Sequence, residues 1–267
     1  MARIGLIAGE GKLPMIFSRL AKAKGDTVIA FGLKGVTNEA LARYADKMHW
    51  LDWGSLQKGL LLLVTERIRK IILLGKLKKD IFFKEEKGLD DKAKKILDKL
   101  SDKKDYAILN EVDKLLKKIG VEVIDSTIYF KELIPHKGTL TKREPTEKEW
   151  ADISYGSDIA KKLSGFDIGQ TMVIKDKMAI AVEAMEGTDQ TISRAGGLVK
   201  GGFVVVKVAR PNQDMRFDVP LVGLDTLKAL IEAEGKVLAL EEKKTLLMDR
   251  EELIKLADQK DVSIVII

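Results

Sequence analysis

The stretch Val208-Ala-Arg210-Pro-Asn-Gln213-Asp214-Met-Arg216-Phe-Asp218-Val-Pro220 is the densest polar constellation in the chain, and it follows Phe203–Val206, a run apolar enough for a core strand. Side chains alternate along an extended segment, so Asp214, Arg216 and Asp218 share one face there and Gln213 takes the other. Two carboxylates with a basic partner suit metal-assisted hydrolysis. Asp214 and Asp218 would hold Mg²⁺ or Mn²⁺, and Arg216 would neutralise phosphate charge. A solvated ion-pair ladder is the alternative for the same residues.

A second constellation is Glu183-Ala-Met-Glu186-Gly187-Thr188-Asp189, with Arg194 after it. It places acidic, hydroxyl and basic groups in one turn. Glu183 and Glu186 cannot share a face of a regular strand, so the chain must turn near Met185. The alternative is a capped turn into a helix, with Thr188 or Asp189 as N-cap. Two glycine sites complete the set. Gly9-x-Gly11 stands where a strand gives way to a helix and would let backbone N–H groups face a phosphate, or else forms a tight structural turn. Gly75-Lys76 ends another apolar run, where Lys76 would pair with phosphate or simply be solvated.

Composition narrows the chemistry further. With no cysteine among 267 residues, a thiolate nucleophile, a disulfide framework, an iron–sulfur cluster and a cysteine zinc site are excluded. Only His49 and His136 are present, neither in a motif that would support a Ser-His-Asp triad, so carboxylates and basic residues must carry the chemistry. The net charge of +6 arises within a chain in which both signs are interspersed, which argues for a solvated surface and against a nucleic-acid partner. No apolar run reaches the ~20 residues needed to cross a bilayer. The N-terminal apolar stretch is too short for a signal peptide, so a cytoplasmic location is expected.

The elements that must position these residues follow from periodicity. Ile4–Ala8, Thr27–Phe31, Lys70–Leu74 and Val121–Ile124 are strand-like runs, separated by helical patterns after Leu13, over Leu56–Arg69 and over Ala107–Ile119. Alternating strands and helices predict a Rossmann-like parallel-sheet domain over residues 1–133. The third glycine and the acidic residue of a dinucleotide fingerprint are both missing, which argues against NAD. Two prolines, a glycine and charges place a linker at about 134–145, before the helix-start signal Thr146-Glu-Lys-Glu149. Residues 146–267 then read as a mixed α+β domain: a helix Trp150–Leu163, a strand pair around Thr171–Ile174 and Met178–Ala184, a strand Gly202–Ala209, and alternating signals to Val262–Ile267.

Gly5-Leu-Ile-Ala-Gly9-x-Gly11-x-Leu13-Pro14, Phe166-Asp167-Ile-Gly169-Gln170, the Ala181–Asp189 block and Gln213-x-x-Arg216-x-Asp218-x-Pro220, taken together and in this order, resemble the LpxI-type UDP-2,3-diacylglucosamine pyrophosphatases of lipid A synthesis. The resemblance spans nearly the whole chain. It implies two domains with a lipid-bearing sugar nucleotide between them, and Mg²⁺-dependent hydrolysis to UMP and 2,3-diacylglucosamine 1-phosphate. The family's essential aspartate falls on Asp218, with Arg216 beside it. Glu186, Thr188, Asp189, Gln213 and Arg216 match cleft positions, and Gly9, Gly11 and Gly75 match first-domain loops; Gly187, Lys76 and Arg194 are further substrate-binding candidates from the residues themselves. Gly75-Lys76-Leu77-Lys78-Lys79 departs from the family's usual Gly-Asn and Arg-Pro, and Glu10 replaces a common glycine. Ile81-Phe82-Phe83 and Met185 are candidates for acyl-chain contact. Contact with the inner-membrane surface and a homodimer are further expectations. A UDP-sugar-binding module without turnover and an unrelated α/β oxidoreductase are the competing readings.

Overall fold

The computed structural model describes residues 1–76, 88–99 and 105–267. The chain divides into two units: Met1–Phe130 with Met215–Asp218, and Lys131–Asp214 with Val219–Ile267. Leu77–Lys79 and Ile81–Phe83 lie outside the described residues.

The first unit is built on five parallel strands, β1 (Arg3–Ala8), β2 (Thr27–Leu33), β3 (Lys47–Leu51), β4 (Lys70–Leu74) and β5 (Glu122–Val123), in the order β3-β2-β1-β4-β5. Its central strands are almost continuously apolar because helices cover both faces of a parallel sheet. The helices are α1 (Leu13–Ala23), opened by Pro14 in its first turn, α2 (Leu56–Thr65), α3 (Asp91–Lys99) and α4 (Asp105–Lys118). Strand β3 escaped the sequence reading. As an edge strand it buries only Leu51, and Lys47-Met-His-Trp carries no apolar run.

Helix α2 stops four residues before its expected end at Arg69. Arg67 takes the left-handed conformation (φ 53°), its N–H reaches Val64 O at 3.0 Å and that of Ile68 reaches Leu63 O at 2.9 Å, which is a Schellman stop with arginine in the glycine position. The buried Ile68 side chain anchors it.

The second unit carries a six-stranded mixed sheet, β6 (Gly138–Thr139), β7 (Thr171–Lys175), β8 (Met178–Val182), β9 (Val204–Lys207), β11 (Val237–Leu240) and β13 (Ser263–Ile266), in the order β6-β13-β11-β9-β7-β8. A parallel pair, β10 (Leu221–Val222) and β12 (Leu246–Leu247), stands apart. The segment expected as linker supplies the edge strand β6. Helix α5 (Glu147–Gly165) starts three residues before its expected first residue, at the capping box in which Thr146 and Glu149 satisfy each other's backbone N–H.

The pleat sorts the core. Val204, Val206, Val237, Ala239 and Val265 pack with Ile153 and Ala160 of α5. Val205, Leu238, Leu240, Ile264 and Ile266 pack on the other face with α6 (Thr188–Leu198), α7 (Leu224–Glu232) and α8 (Arg250–Gln259). The β7–β8 hairpin turns at Asp176 and Lys177, both with positive φ, as a primed turn requires. The buried Asp152 carboxylate accepts both of their N–H groups, at 3.0 and 2.6 Å, and thereby offsets the backbone cost.

Candidate active site

In the first unit the strand order reverses between β1 and β4, and open parallel sheets bind ligands at the carboxyl ends of such strands. Gly9, Gly11, Gly75 and Lys76 all stand there. The Gly9 N–H donates to Leu74 O (2.8 Å), that of Glu10 to Lys76 O (2.9 Å) and that of Lys76 to Glu10 O (3.0 Å). A Cβ on Gly9 would lie 2.7 Å from Lys76 O, and one on Gly75, whose φ is +100°, would lie 2.7 Å from the Gly9 carbonyl carbon. Both glycines therefore have a packing reason of their own, the close approach of two backbones. Gly11 (φ +108°) faces open space. The buried Thr37, which the sequence did not single out, donates to Ala8 O (2.5 Å) and accepts the Leu33 N–H (2.9 Å), joining β1 and β2 at this edge.

Residues 211–218 are not extended. Turns occupy Pro211–Asn212 and Met215–Phe217, so the expected common face of Asp214, Arg216 and Asp218 does not form. The Gln213 N–H bonds back to Arg210 O (3.1 Å) while its side-chain oxygen accepts the Arg210 N–H (3.2 Å), which closes a turn where a strand would need a neighbour. Arg210 also pairs with Asp167 at 2.8 Å. Gln213 and Asp214 belong to the second unit, and Met215–Asp218 to the first.

There Phe217 packs against the core formed by β2, α2 and α4, the Arg216 guanidinium lies 4.8 Å from the Phe217 ring centroid, and its Nη1 lies 3.6 Å from Asp113 Oδ2. Asp113 is buried and paired to Lys117 at 2.8 Å, and its Oδ1 has no hydrogen-bond partner. Asp218 is exposed. Asp113 was hidden in the sequence because it reads as one more polar position of an amphipathic helix.

In the second unit the turn after β8 carries the other block. Glu186 accepts from Arg194 (2.7 Å), Thr191 (3.1 Å) and the Ala184 N–H (3.1 Å), and Arg194 also donates to Val182 O (2.9 Å). The Arg194 guanidinium, ahead of the other donors, holds the Glu186 carboxyl down to about 2. The N-cap of α6 is Gly187 (φ 84°), not Thr188 or Asp189, and it provides no side-chain cap. Asp189, in the first turn, accepts from Thr226 (2.7 Å).

Thr188 is the centre of a partly buried network. It donates to Glu183 Oε1 (3.0 Å), accepts from Lys207 Nζ (2.7 Å) and lies 3.3 Å from Thr171 Oγ1. Burial opposes the charge of Glu183, but Lys207, the Thr171 and Thr188 hydroxyls and the Gln170 N–H more than offset it and hold the carboxyl below its ordinary value. The one sequence signal for Lys207 was a lysine closing the most apolar strand.

Among the described residues, no group of three or more histidine or acidic side chains is arranged to hold a metal. Magnesium needs less from a protein. It keeps several waters and is commonly bound by one or two carboxylates plus substrate phosphates, a donor set that Asp214 and Asp218 match in kind.

A parallel-sheet unit followed by a mixed-sheet unit, each with polar groups at the ends of its central strands, defines the class, and the chain belongs to the LpxI family. Family models for the LpxI N-terminal domain and the LpxI C-terminal domain match residues 3–133 and 136–265. A relative along nearly the whole length is the UDP-2,3-diacylglucosamine pyrophosphatase LpxI of Caulobacter vibrioides, 29% identical over 97% of this chain and 95% of that protein.

Among solved structures, a biotin carboxylase from Campylobacter jejuni (12% identity, TM-score 0.29, 73% of this chain and 41% of that one) and an N5-carboxyaminoimidazole ribonucleotide synthetase from Thermotoga maritima (16%, 0.29, 70% and 43%) are similar only at a level that defines no common fold. The chain spans about two fifths of the length of each.

Proposed function

We propose that this protein hydrolyses the pyrophosphate bond of UDP-2,3-diacylglucosamine to UMP and 2,3-diacylglucosamine 1-phosphate, a step of lipid A synthesis, with Mg²⁺ or Mn²⁺ as cofactor. The observation that carries this reading is the end-to-end relation to the Caulobacter vibrioides pyrophosphatase. In the reaction a water oxygen bonds to one phosphorus as the bond from that same phosphorus to the bridging oxygen breaks, the bridging oxygen leaves with the other phosphate, and the two protons of the water pass to solvent or to the phosphate products.

Such a reaction needs negative charge neutralised and a water aimed in line, and neither task requires cysteine or histidine. Arg216 neutralises phosphate charge and Asp218 positions the attacking water or the metal, with Asp214 as a second carboxylate. A bound Mg²⁺ would supply further charge neutralisation. Gly9, Gly11, Gly75, Lys76, Glu186, Gly187, Thr188, Asp189, Arg194 and Gln213 line the substrate. Among the described residues no helix is long and apolar enough to cross a membrane. The acyl chains of the substrate set the encounter at a membrane surface.

The test is UMP release from UDP-2,3-diacylglucosamine by the purified protein with Mg²⁺ or Mn²⁺. Binding of the substrate without turnover would leave the protein a UDP-sugar-binding module.

A further inference from the structure

At the end of the second unit's sheet opposite to Thr171 and Lys207, a cavity of about 530 Å³ opens. Four lysines from four separate segments line it: Lys175 closes β7, Lys200 precedes β9, Lys236 precedes β11 and Lys260 caps the end of α8. The register of β9, β11 and β13 sets their amino ends, and with them these connections, side by side. Its volume falls within the ~300–1,000 Å³ range of small-molecule sites.

Carboxylates do little to neutralise these lysines. Lys175 Nζ donates to two carbonyl oxygens, Lys200 O (2.8 Å) and Gly201 O (2.7 Å), which fastens loop 200–202 without a carboxylate contact. The neighbouring Asp176 pairs with Lys148 instead. The loop bends through Gly201 (φ +40°) and Gly202 (φ +66°), and a Cβ on Gly201 would lie 2.8 Å from Glu234 Cβ, so the close approach of these segments requires glycine. Lys236 reaches Asp261 only at 3.4 Å, and that carboxylate is 73% exposed and also faces Arg143 at 3.6 Å. Among the described residues the Lys200 and Lys260 side chains have no hydrogen bond or ion pair, and Glu234, the one carboxylate of the lining, pairs with none of the four lysines.

Helix C-termini attract cations, and α6, α7 and α8 all end on this side. That attraction fades within one turn and explains one lysine at each end. It gives no reason for four to share a cavity in which each repels the others. An ammonium is a compact point charge suited to phosphate oxygens, and several in one cavity suit several phosphates. A concave wall favours a small solute over the flat face of a bilayer.

We propose that this cavity binds a small soluble anion bearing two or more phosphate groups. None of its residues belongs to the proposed hydrolytic machinery, and the claim stands whether or not the protein is a hydrolase.

The test is calorimetric titration of the intact chain with inorganic tripolyphosphate in metal-free buffer, for wild type, Lys200→Gln/Lys260→Gln and a control, Lys58→Gln/Lys255→Gln, which removes the same charge from exposed positions outside the cavity. Wild type and control should bind alike. The cavity variant should lose one binding event or weaken it at least about tenfold, with a smaller rise in Tm at saturating ligand. Tripolyphosphate held at the proposed hydrolytic site is common to all three proteins, so the difference between them reads the cavity. Equal binding in all three, including none, overturns the proposal, as does an equal loss in the control, which would make the effect one of net charge. Cosedimentation with phosphatidylglycerol vesicles forms a second arm: vesicle binding that the cavity variant loses, without binding of tripolyphosphate, overturns the soluble ligand in favour of a membrane surface. Lys200 and Lys260 are exposed, so their variant should melt as wild type does; if it does not, the single substitutions Lys200→Gln and Lys260→Gln are read by the same criteria.

Discussion

At the scale of single residues, a chain with no cysteine and two histidines leaves the chemistry to carboxylates and basic side chains, so substitutions among these are the ones that report on it. With Asp218 acting on the reacting atoms as proposed, Asp218→Ala should retain substrate binding while kcat falls by at least roughly 10³-fold. Asp214→Ala should be milder. Arg216→Ala should lower kcat/KM by on the order of 10²-fold, the scale of losing one aimed charge in a desolvated site. Steady-state kinetics with parallel binding and melting curves checks all three. Wild-type turnover in Asp218→Ala removes it from the mechanism, and loss of fold along with binding makes it a structural partner.

At the scale of elements, two predictions concern the first unit. The zip between β1 and β4 depends on Gly75, which combines a φ of +100° with a Cβ position 2.7 Å from the Gly9 carbonyl carbon. Gly75→Ala should cost about 2 kcal/mol or more, seen as a fall in Tm, and an unchanged Tm would show that this edge yields easily.

The second concerns Glu66, buried at the end of α2, which accepts from Lys47 (2.5 Å), His49 (2.8 Å) and Arg3 (2.7 Å) and so ties β1 and β3 to the helix. Lys47 most of all, with His49 and Arg3, works against the cost of burial to bring its carboxyl down from 4.5 to about 2. A carboxyl lowered in the folded state stabilises fully above its unfolded value and progressively less below it, so this contribution should be lost as pH falls from 4.5 toward 2. Denaturant unfolding across that window should show wild type losing stability more steeply than Glu66→Gln. Parallel curves would discard the idea.

At the scale of the whole molecule, the end-to-end family match joins both units to one function. The proposed metal dependence is therefore tested on the intact protein. Chelation with EDTA should silence hydrolysis and added Mg²⁺ or Mn²⁺ should restore it, because one or two carboxylates and a phosphate are what such an ion binds. Full activity in thoroughly metal-stripped protein would refute this.

The sequence by itself determined what depends on short-range chemistry. The apolar runs of β1, β2, β4 and β9 were legible because strands buried on both faces need apolar side chains throughout. The capping box at Thr146 was legible because both of its partners lie within four residues. The absence of cysteine excluded thiolate chemistry and cysteine metal sites, and two isolated histidines left carboxylates and basic residues to carry a reaction. What the tertiary structure decided involves partners distant in the chain: β3 is a strand because β2 offers it an edge, Thr188 hydrogen-bonds Lys207 because β9 carries that lysine to it, and Gly9 is small because Gly75 lies against it. The turn at Met215–Asp218 is the clearest case. Spacing makes Arg216 and Asp218 neighbours on one face of a strand, but Phe217 finds its apolar partners in the first unit, and burying an aromatic ring there outweighs any preference of an unpaired segment for extension.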